Sequence, residues 1–212
     1  MPNKKIIAQL ENAWMAIEGA LNDKEIIKVL KPYGYTRQEI LKGKALLEDT
    51  YALHNDRSVK FSLQRDATDH FNKARTEAYN IYIHHVQVAR LVVPPDRTRY
   101  PLLQLNGIRK RTFTEWLSQA WAFYQNVSLI AEELARQGVT QEELEQAAAM
   151  VEAVAAARVQ QNARRSKVQQ SKEERDAALE ALHVWMEDFL RTVRFAFAKN
   201  PQQLEALGMV VR

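Results

Sequence analysis

The chain has 212 residues, of which 46% are apolar and 26% are charged, and its formal net charge at pH 7 is +4. This composition is typical of a soluble globular protein, and the absence of cysteine excludes disulfides, thiolate catalysis and zinc sites built on sulfur. No segment approaches the roughly 20 apolar residues that a membrane span needs, and polar side chains interrupt the first apolar positions. We therefore expect a cytoplasmic protein without a membrane partner.

Helix is predicted along the whole chain, because the sequence has only 6 glycines and 6 prolines and is rich in strong helix formers. Apolar residues three and four positions apart predict a first helix over 4–21, with Trp14 on its apolar face. A short helix follows over 23–30. A long helix is then predicted from 37 to about 61, and a turn is predicted within 58–66.

The third long helix of the first half has the most regular apolar spacing in the chain and ends at Pro94–Pro95. A connector over 94–112 joins the two halves. In the second half, an alanine-rich helix is predicted from Gln141 to Ala163, where the sequence becomes basic and polar. The last long helix is predicted to restart with a cap at Ser171.

Short turn segments separate these helices, and one type of turn segment occurs twice, at 34–40 and at 138–144. Each begins with glycine, the residue that most readily adopts the left-handed conformation after a helix. Each then has Thr followed three residues later by Glu, which predicts a capping box at the start of the next helix. Capping boxes are predicted at three places: Thr36 with Glu39, Thr112 with Glu115, and Thr140 with Glu143.

The two halves of the sequence resemble each other when they are aligned 104 residues apart. Gly34 then falls on Gly138, and Thr36 on Thr140. Farther upstream, an Ala-Trp pair recurs at an offset of 107. The alternative is chance similarity between helical segments, because all of them are enriched in the same few residue types. We predict an all-α protein, a six-helix bundle built from two tandem, pseudo-twofold-related three-helix repeats, about 1–108 and 109–212. The whole chain, 1–212, is then a single compact helical domain, and two separate three-helix bundles are the rival architecture.

Candidate catalytic chemistry is sparse in this sequence. Glu180 and His183 have the Glu-x-x-His spacing of di-metal helix bundles, but the first half offers no second copy of it. His85 lies on an apolar seam, where a hydrogen-bonded core histidine is favoured over a base or ligand. The tryptophans are interpreted as packing residues, and Glu48 and Glu152, which coincide between the halves, as solvated positions. We therefore predict no catalytic residue, no metal and no cofactor.

Positive charge is concentrated in two segments, 94–112 and 158–172, with net charges of +4 and +5. Clustered Arg and Lys can neutralise phosphates and bind nucleic acid. Basic residues near helix C-termini are also expected from the helix dipole. The candidate anion or nucleic-acid contacts are Arg97, Arg99, Arg109, Lys110, Arg111, Arg164, Arg165 and Lys167.

Three functions are compatible with these observations. The first is a non-enzymatic interaction or structural module that binds a protein partner or associates with itself. The second is a nucleic-acid-associated protein that binds phosphates through the two basic segments. The third is a bundle enzyme or ligand carrier with a pocket between the two copies. The sequence favours the first, because its packing signal is strong and it has no catalytic constellation.

Overall fold

A computed structural model describes residues 2–95 and 98–208, and the side chains from residue 4 onward. These residues form α-helices and short 3-10 helices without any strand, so the predicted all-α class is confirmed for them. Within the same ranges, no helix is both long and apolar enough to cross a bilayer. The cytoplasmic location stays a prediction.

The helices of the first half are α1 (Pro2–Asn22), α2 (Lys24–Leu30) and α3 (Arg37–Val92), with a 3-10 turn at Lys31–Tyr33 between α2 and α3. The second half contains shorter elements and one long helix. They are α4 (Arg99–Leu102), α5 (Phe113–Asn126), a 3-10 turn at Val127–Ile130, α6 (Ala131–Ala135), α7 (Gln141–Ala196) and a 3-10 helix at Pro201–Leu207.

Helices α3 and α7 are each 56 residues long and uninterrupted. The predicted turn within 58–66 and the predicted restart at Ser171 are therefore wrong. Neither place contains glycine or proline, the residues that break a helix. The polar side chains are accommodated inside the helix instead: the Ser58 hydroxyl donates to the His54 carbonyl oxygen at 3.2 Å, and the Ser171 hydroxyl donates to the Val168 carbonyl oxygen at 3.0 Å.

Each long helix begins after the predicted glycine and threonine cap. Gly34 and Gly138 have φ angles of 91° and 88°, the left-handed region that favours glycine. At α7 the capping box is reciprocal. The Glu143 amide donates to the Thr140 hydroxyl at 3.2 Å, and the Thr140 amide donates to the Glu143 carboxylate at 2.8 Å.

The other two predicted caps differ in detail. At α3 the Glu39 amide donates to the Thr36 hydroxyl at 3.3 Å, while the Glu39 carboxylate pairs with Lys42. At α5 the Thr112 hydroxyl donates to the Glu115 carboxylate at 2.6 Å instead of accepting from the backbone. The side chains are therefore the predicted ones, but only α7 has both bonds of the box.

The residues cluster into two compact units that do not coincide with the two halves of the sequence. The terminal unit consists of Met1–Phe61 and Lys167–Arg212, and the central unit is Ser62–Ser166. Each unit has its own core of buried apolar side chains. The single-domain description and the repeat boundaries near 108 stay predictions.

In the terminal unit, α1 and α2 pack with the first part of α3 and the last part of α7. Leu10, Ile17 and Phe189 are fully buried in its core. On α1 the buried face is lined by alanines as well, and Trp14 on its edge is 54% exposed. The two long helices are antiparallel here, because Gly43 approaches Trp185 while Thr50 lies 3.4 Å from the Ala178 carbonyl oxygen.

In the central unit, the last part of α3 and the first part of α7 pack with α5 and α6. Tyr82, Trp116 and Phe123 are fully buried at its centre. The helices are again antiparallel, since the Gln161 amide donates to the Thr68 hydroxyl at 3.3 Å and the Arg158 guanidinium lies 5.2 Å from the centre of the Phe71 ring.

Candidate functional site

An open cavity of about 640 Å³ lies between α5 and α7 in the central unit. Three residues on one face of α5 line it on one side. Two alanines and one glutamate of α7 line it on the other side. The small alanine side chains leave the space open. The lining residues are Trp121, Tyr124, Gln125, Ala148, Glu152 and Ala155. We name this the Trp121 cavity.

Two tryptophans occupy positions that the sequence interpretation assigned to packing, and they are not buried. Trp121 is 41% exposed and Trp14 is 54% exposed, whereas the alanine before each of them is buried. The packing interpretation is correct for Trp116, which is fully buried. It is wrong for Trp14 and Trp121, because the alanine of each Ala-Trp pair faces the core and turns the indole outward.

A polar pair joins Tyr124, which lines the Trp121 cavity, to the buried His85. The Tyr124 hydroxyl is 3.1 Å from His85 Nδ1, and His85 is only 4% exposed. Burial raises the pKa of the Tyr124 phenol, and burial with the neighbouring His84 lowers the pKa of His85. Both groups are therefore neutral at pH 7, and His85 is the hydrogen-bonded core histidine that the sequence favoured.

A second cavity of the central unit, about 400 Å³, lies on the α3 side of His85. Asn80, His84 and Glu143 contribute polar groups to it. Glu143 is already engaged in the α7 capping box. Among the side chains that the structure describes, no three His, Asp or Glu groups are placed to bind a metal ion.

The Glu-x-x-His motif of α7 is exposed. His183 Nε2 lies 3.3 Å from the Glu187 carboxylate, one helical turn later, and both side chains are more than half exposed. An exposed pair of this kind contributes little to stability. His183 lines a cavity of about 250 Å³ between α1 and α7, together with Gln9, Asn12 and Leu182.

Two cations of the first basic segment, Arg99 and Arg109, have partners inside the protein. Arg99 pairs with Glu133 at 3.2 Å. Arg109 donates to the Tyr82 hydroxyl at 2.9 Å and to the Asn106 carbonyl oxygen at 2.7 Å. These bonds hold the connector on the helices. Arg97 lies outside the described residues.

Two further cations of that segment are exposed near the start of α5. Lys110 Nζ is 3.6 Å from the Glu115 carboxylate. Arg111 lines a cleft of about 430 Å³ together with Arg75, Thr76 and Tyr79, and the Arg111 backbone carbonyl accepts a hydrogen bond from the Arg75 guanidinium at 2.6 Å. We name this the arginine cleft.

The second basic segment lies entirely within α7. Arg164 and Arg165 belong to the central unit and Lys167 to the terminal unit, and all three side chains are exposed. Arg158 differs, because its guanidinium lies over the Phe71 and Phe113 rings at 5.2 and 5.7 Å, where a cation–π interaction is favourable. That contact places the beginning of this segment beside the start of α5.

Sequence reasoning missed three features of the central unit. It assigned no role to Arg75, and none to Arg90, whose guanidinium donates to the Leu105 carbonyl oxygen at 3.0 and 2.6 Å and to Gly107 at 2.8 Å. It also missed the Trp121 cavity. The recurring Ala-Trp pair was the available signal for the cavity, since an alanine on the apolar face implies that the adjacent tryptophan lies off it.

Comparison of the chain with known protein families, with curated proteins and with solved structures finds no match.

Proposed function

We propose that this protein is a non-enzymatic interaction module that binds a protein partner through the face of the central unit around Trp121. The observation that carries the proposal is a tryptophan 41% exposed at the edge of an open cavity of about 640 Å³. Tryptophan is among the residues most enriched at energetically important interface positions. An apolar groove with a few polar groups is also the usual form of a binding site.

The proposal includes the architecture of two tandem repeats, about 1–108 and 109–212. Helices α3 and α7 have the same length and begin 104 residues apart, and the glycines before them share the left-handed conformation. In both halves an exposed tryptophan follows a buried alanine. These similarities support descent from one duplicated unit, arranged as the predicted six-helix bundle.

The experiment that tests the function uses a photo-crosslinking amino acid at Ser118, one turn before Trp121 on α5. The same amino acid at Val184, an exposed position of the terminal unit, is the control. We expect a partner that crosslinks through 118 and not through 184, either another protein or a second copy of this chain. Mass spectrometry of the crosslinked peptides distinguishes the two.

Binding of the purified partner, or self-association, is then measured by calorimetry or sedimentation. Trp121→Ala is expected to weaken it by at least tenfold, as truncation of an interface tryptophan does. Trp14→Ala, which removes an even more exposed indole from the terminal unit, is the matched variant and should change the affinity less than twofold. Equal effects of the two substitutions, or none, would reject the proposal.

Nucleic-acid binding is the second candidate, favoured by the arginine cleft and by the exposed Arg164 and Arg165 of the same unit. The test is fluorescence anisotropy with mixed-sequence DNA and RNA 20-mers at 50 and 200 mM salt. If phosphates are bound, affinity falls steeply with salt, and Arg75→Ala with Arg111→Ala weakens it uniformly across sequences. Absence of binding at 50 mM salt would exclude this candidate.

A further inference from the structure

We propose that the Trp121 cavity binds an alkylammonium group, such as the lysine side chain of a protein partner. This inference rests on the proposed interaction function and names the chemical group that the face recognises.

The cavity offers two groups that attract a cation. The face of an exposed indole binds ammonium groups through its ring quadrupole. Glu152, across the cavity on α7, is exposed, and no cation among the described residues lies within ion-pair distance of it. Gln125 adds an amide oxygen that can accept a hydrogen bond. One carboxylate and one amide are too few oxygen ligands for Ca²⁺ or Mg²⁺, so an organic monocation fits this lining better.

The terminal unit has residues at the positions that correspond to the lining of the Trp121 cavity, but it has a lysine where the cavity has an alanine. At the offset of 107 that relates the two Ala-Trp pairs, Trp14 corresponds to Trp121 and Glu18 to Gln125. At the offset of 104 that relates α3 to α7, Lys44 corresponds to Ala148. Lys44 Nζ lies 2.5 Å from the Glu18 carboxylate.

The ammonium of the terminal unit is thus supplied by the chain itself. Glu18 and Glu48 both raise the pKa of Lys44, Glu18 through a hydrogen bond and Glu48 through its charge. Glu48 corresponds to Glu152 in the central unit. There the lysine is replaced by Ala148, and the space is an open cavity that retains the tryptophan and one carboxylate. An ammonium group from another molecule takes the place that Lys44 fills in the terminal unit.

The probes are Nα-acetyl-lysine methylamide and spermidine, with Nα-acetyl-norleucine methylamide as the uncharged control. Binding is followed through the indole N–H resonances of the full chain, assigned with single Trp→Phe variants. We expect saturable shifts of the Trp121 resonance with both amines and none with the norleucine derivative. Shifts that are equal for the charged and uncharged probes would overturn the proposal.

Three variants sharpen the test. Glu152→Gln should weaken amine binding about tenfold, and Ala148→Lys should abolish it, because the new side chain fills the cavity as Lys44 does. Lys44→Ala should create a second site, visible at the Trp14 resonance, whereas Lys44→Met should not. Circular dichroism establishes that each variant remains folded. Unchanged binding in Glu152→Gln, or amine binding retained in Ala148→Lys, contradicts the proposal.

The same variants separate this inference from the proposed function. If Trp121→Ala abolishes partner binding while Glu152→Gln and Ala148→Lys leave it intact, the interaction module stands and the ammonium site is rejected. If the partner is lost in all three variants, a lysine of its crosslinked peptide is replaced by norleucine. If this replacement abolishes binding, the partner's lysine side chain is the source of the ammonium group. Binding of spermidine without any dependence of partner affinity on that lysine identifies a free polyamine instead.

Discussion

At the scale of single residues, Gly43 is the glycine of the terminal unit whose α-carbon has the least room for a side chain. A Cβ atom at this position would lie 2.2 Å from the Trp185 ring, which itself stacks on Phe189 with ring centres 5.0 Å apart. The corresponding residue of the central unit is the buried Ala147. Gly43 is therefore required for the close approach of an indole, and not for a turn.

Gly43→Ala is expected to reduce the free energy of unfolding by up to about 2 kcal/mol. Overpacking costs about 1–3 kcal/mol, and the gain of about 1 kcal/mol in helix propensity offsets only part of it. Ala147→Gly should also destabilise, by about 1 kcal/mol, through the lost propensity. Urea unfolding measures both, and a stabilised Gly43→Ala variant would contradict this account.

Two buried imidazoles make stability depend on pH. The pKa of His54 is lowered by burial and by Arg175 and Arg57, and that of His85 by burial and His84, which Glu143 opposes in part. In the unfolded chain each imidazole has its ordinary pKa of about 6.5. The unfolded chain therefore binds protons first as the pH falls.

It follows that the free energy of unfolding should decrease as the pH falls from 8 through about 6.5, and should keep decreasing until the folded-state pKa values are reached. His54→Phe combined with His85→Phe should flatten the dependence between pH 8 and 5.5. Urea unfolding across the pH range measures the effect, and an equally steep dependence in the double variant would be inconsistent with it.

At the scale of helices, α3 and α7 are continuous through polar stretches that single-helix patterns interpret as breaks. Where the two pack in the terminal unit, Thr50, His54, Ser171 and Arg175 are all buried, and Arg175 pairs with Asp176. Where polar residues form a layer between two antiparallel helices, the regular spacing of apolar residues is interrupted in the sequence of each helix. Each sequence considered by itself then resembles a helix break. The partner helix covers these residues, while the Thr50 and Ser171 hydroxyls donate to carbonyl oxygens of their own helices.

The caps at the two long helices should differ in their contributions. Thr140→Ala removes a reciprocal box and is expected to cost about 1 kcal/mol, and Glu143→Ala about as much, since it leaves the Thr140 amide without its partner. Glu39→Ala should cost less than about 0.5 kcal/mol, because it removes only an exposed ion pair with Lys42. Thermal unfolding compares the three, and equal losses from Glu39→Ala and Glu143→Ala would show that the bonding difference has no energetic consequence.

At the scale of the whole molecule, the central unit is one contiguous stretch, whereas the terminal unit joins both ends of the chain. The core of the central unit, from Phe71 to Ala157, lies entirely within 62–166. A fragment that ends near 108, at the predicted repeat boundary, contains part of each core and the whole of neither.

The isolated fragment 62–166 is therefore expected to fold, with a cooperative thermal transition and dispersed amide resonances. Fragment 1–108 should lack both, because each of its incomplete cores leaves apolar surface uncovered. Circular dichroism and NMR spectra of the two fragments provide the test. A cooperatively folded 1–108 would show that the sequence repeat, and not the observed unit, is the folding unit.

The sequence by itself determined the helical class, the positions of Gly34 and Gly138 and the side chains of the caps, because these depend on backbone preferences of neighbouring residues. It also predicted the burial of His85 from its apolar neighbours. Tertiary structure decided the continuity of α3 and α7 and the division into two units. Each of these features depends on which helix packs against a given helix face. The two helices are far apart in the chain, so a local sequence pattern does not reveal their contact.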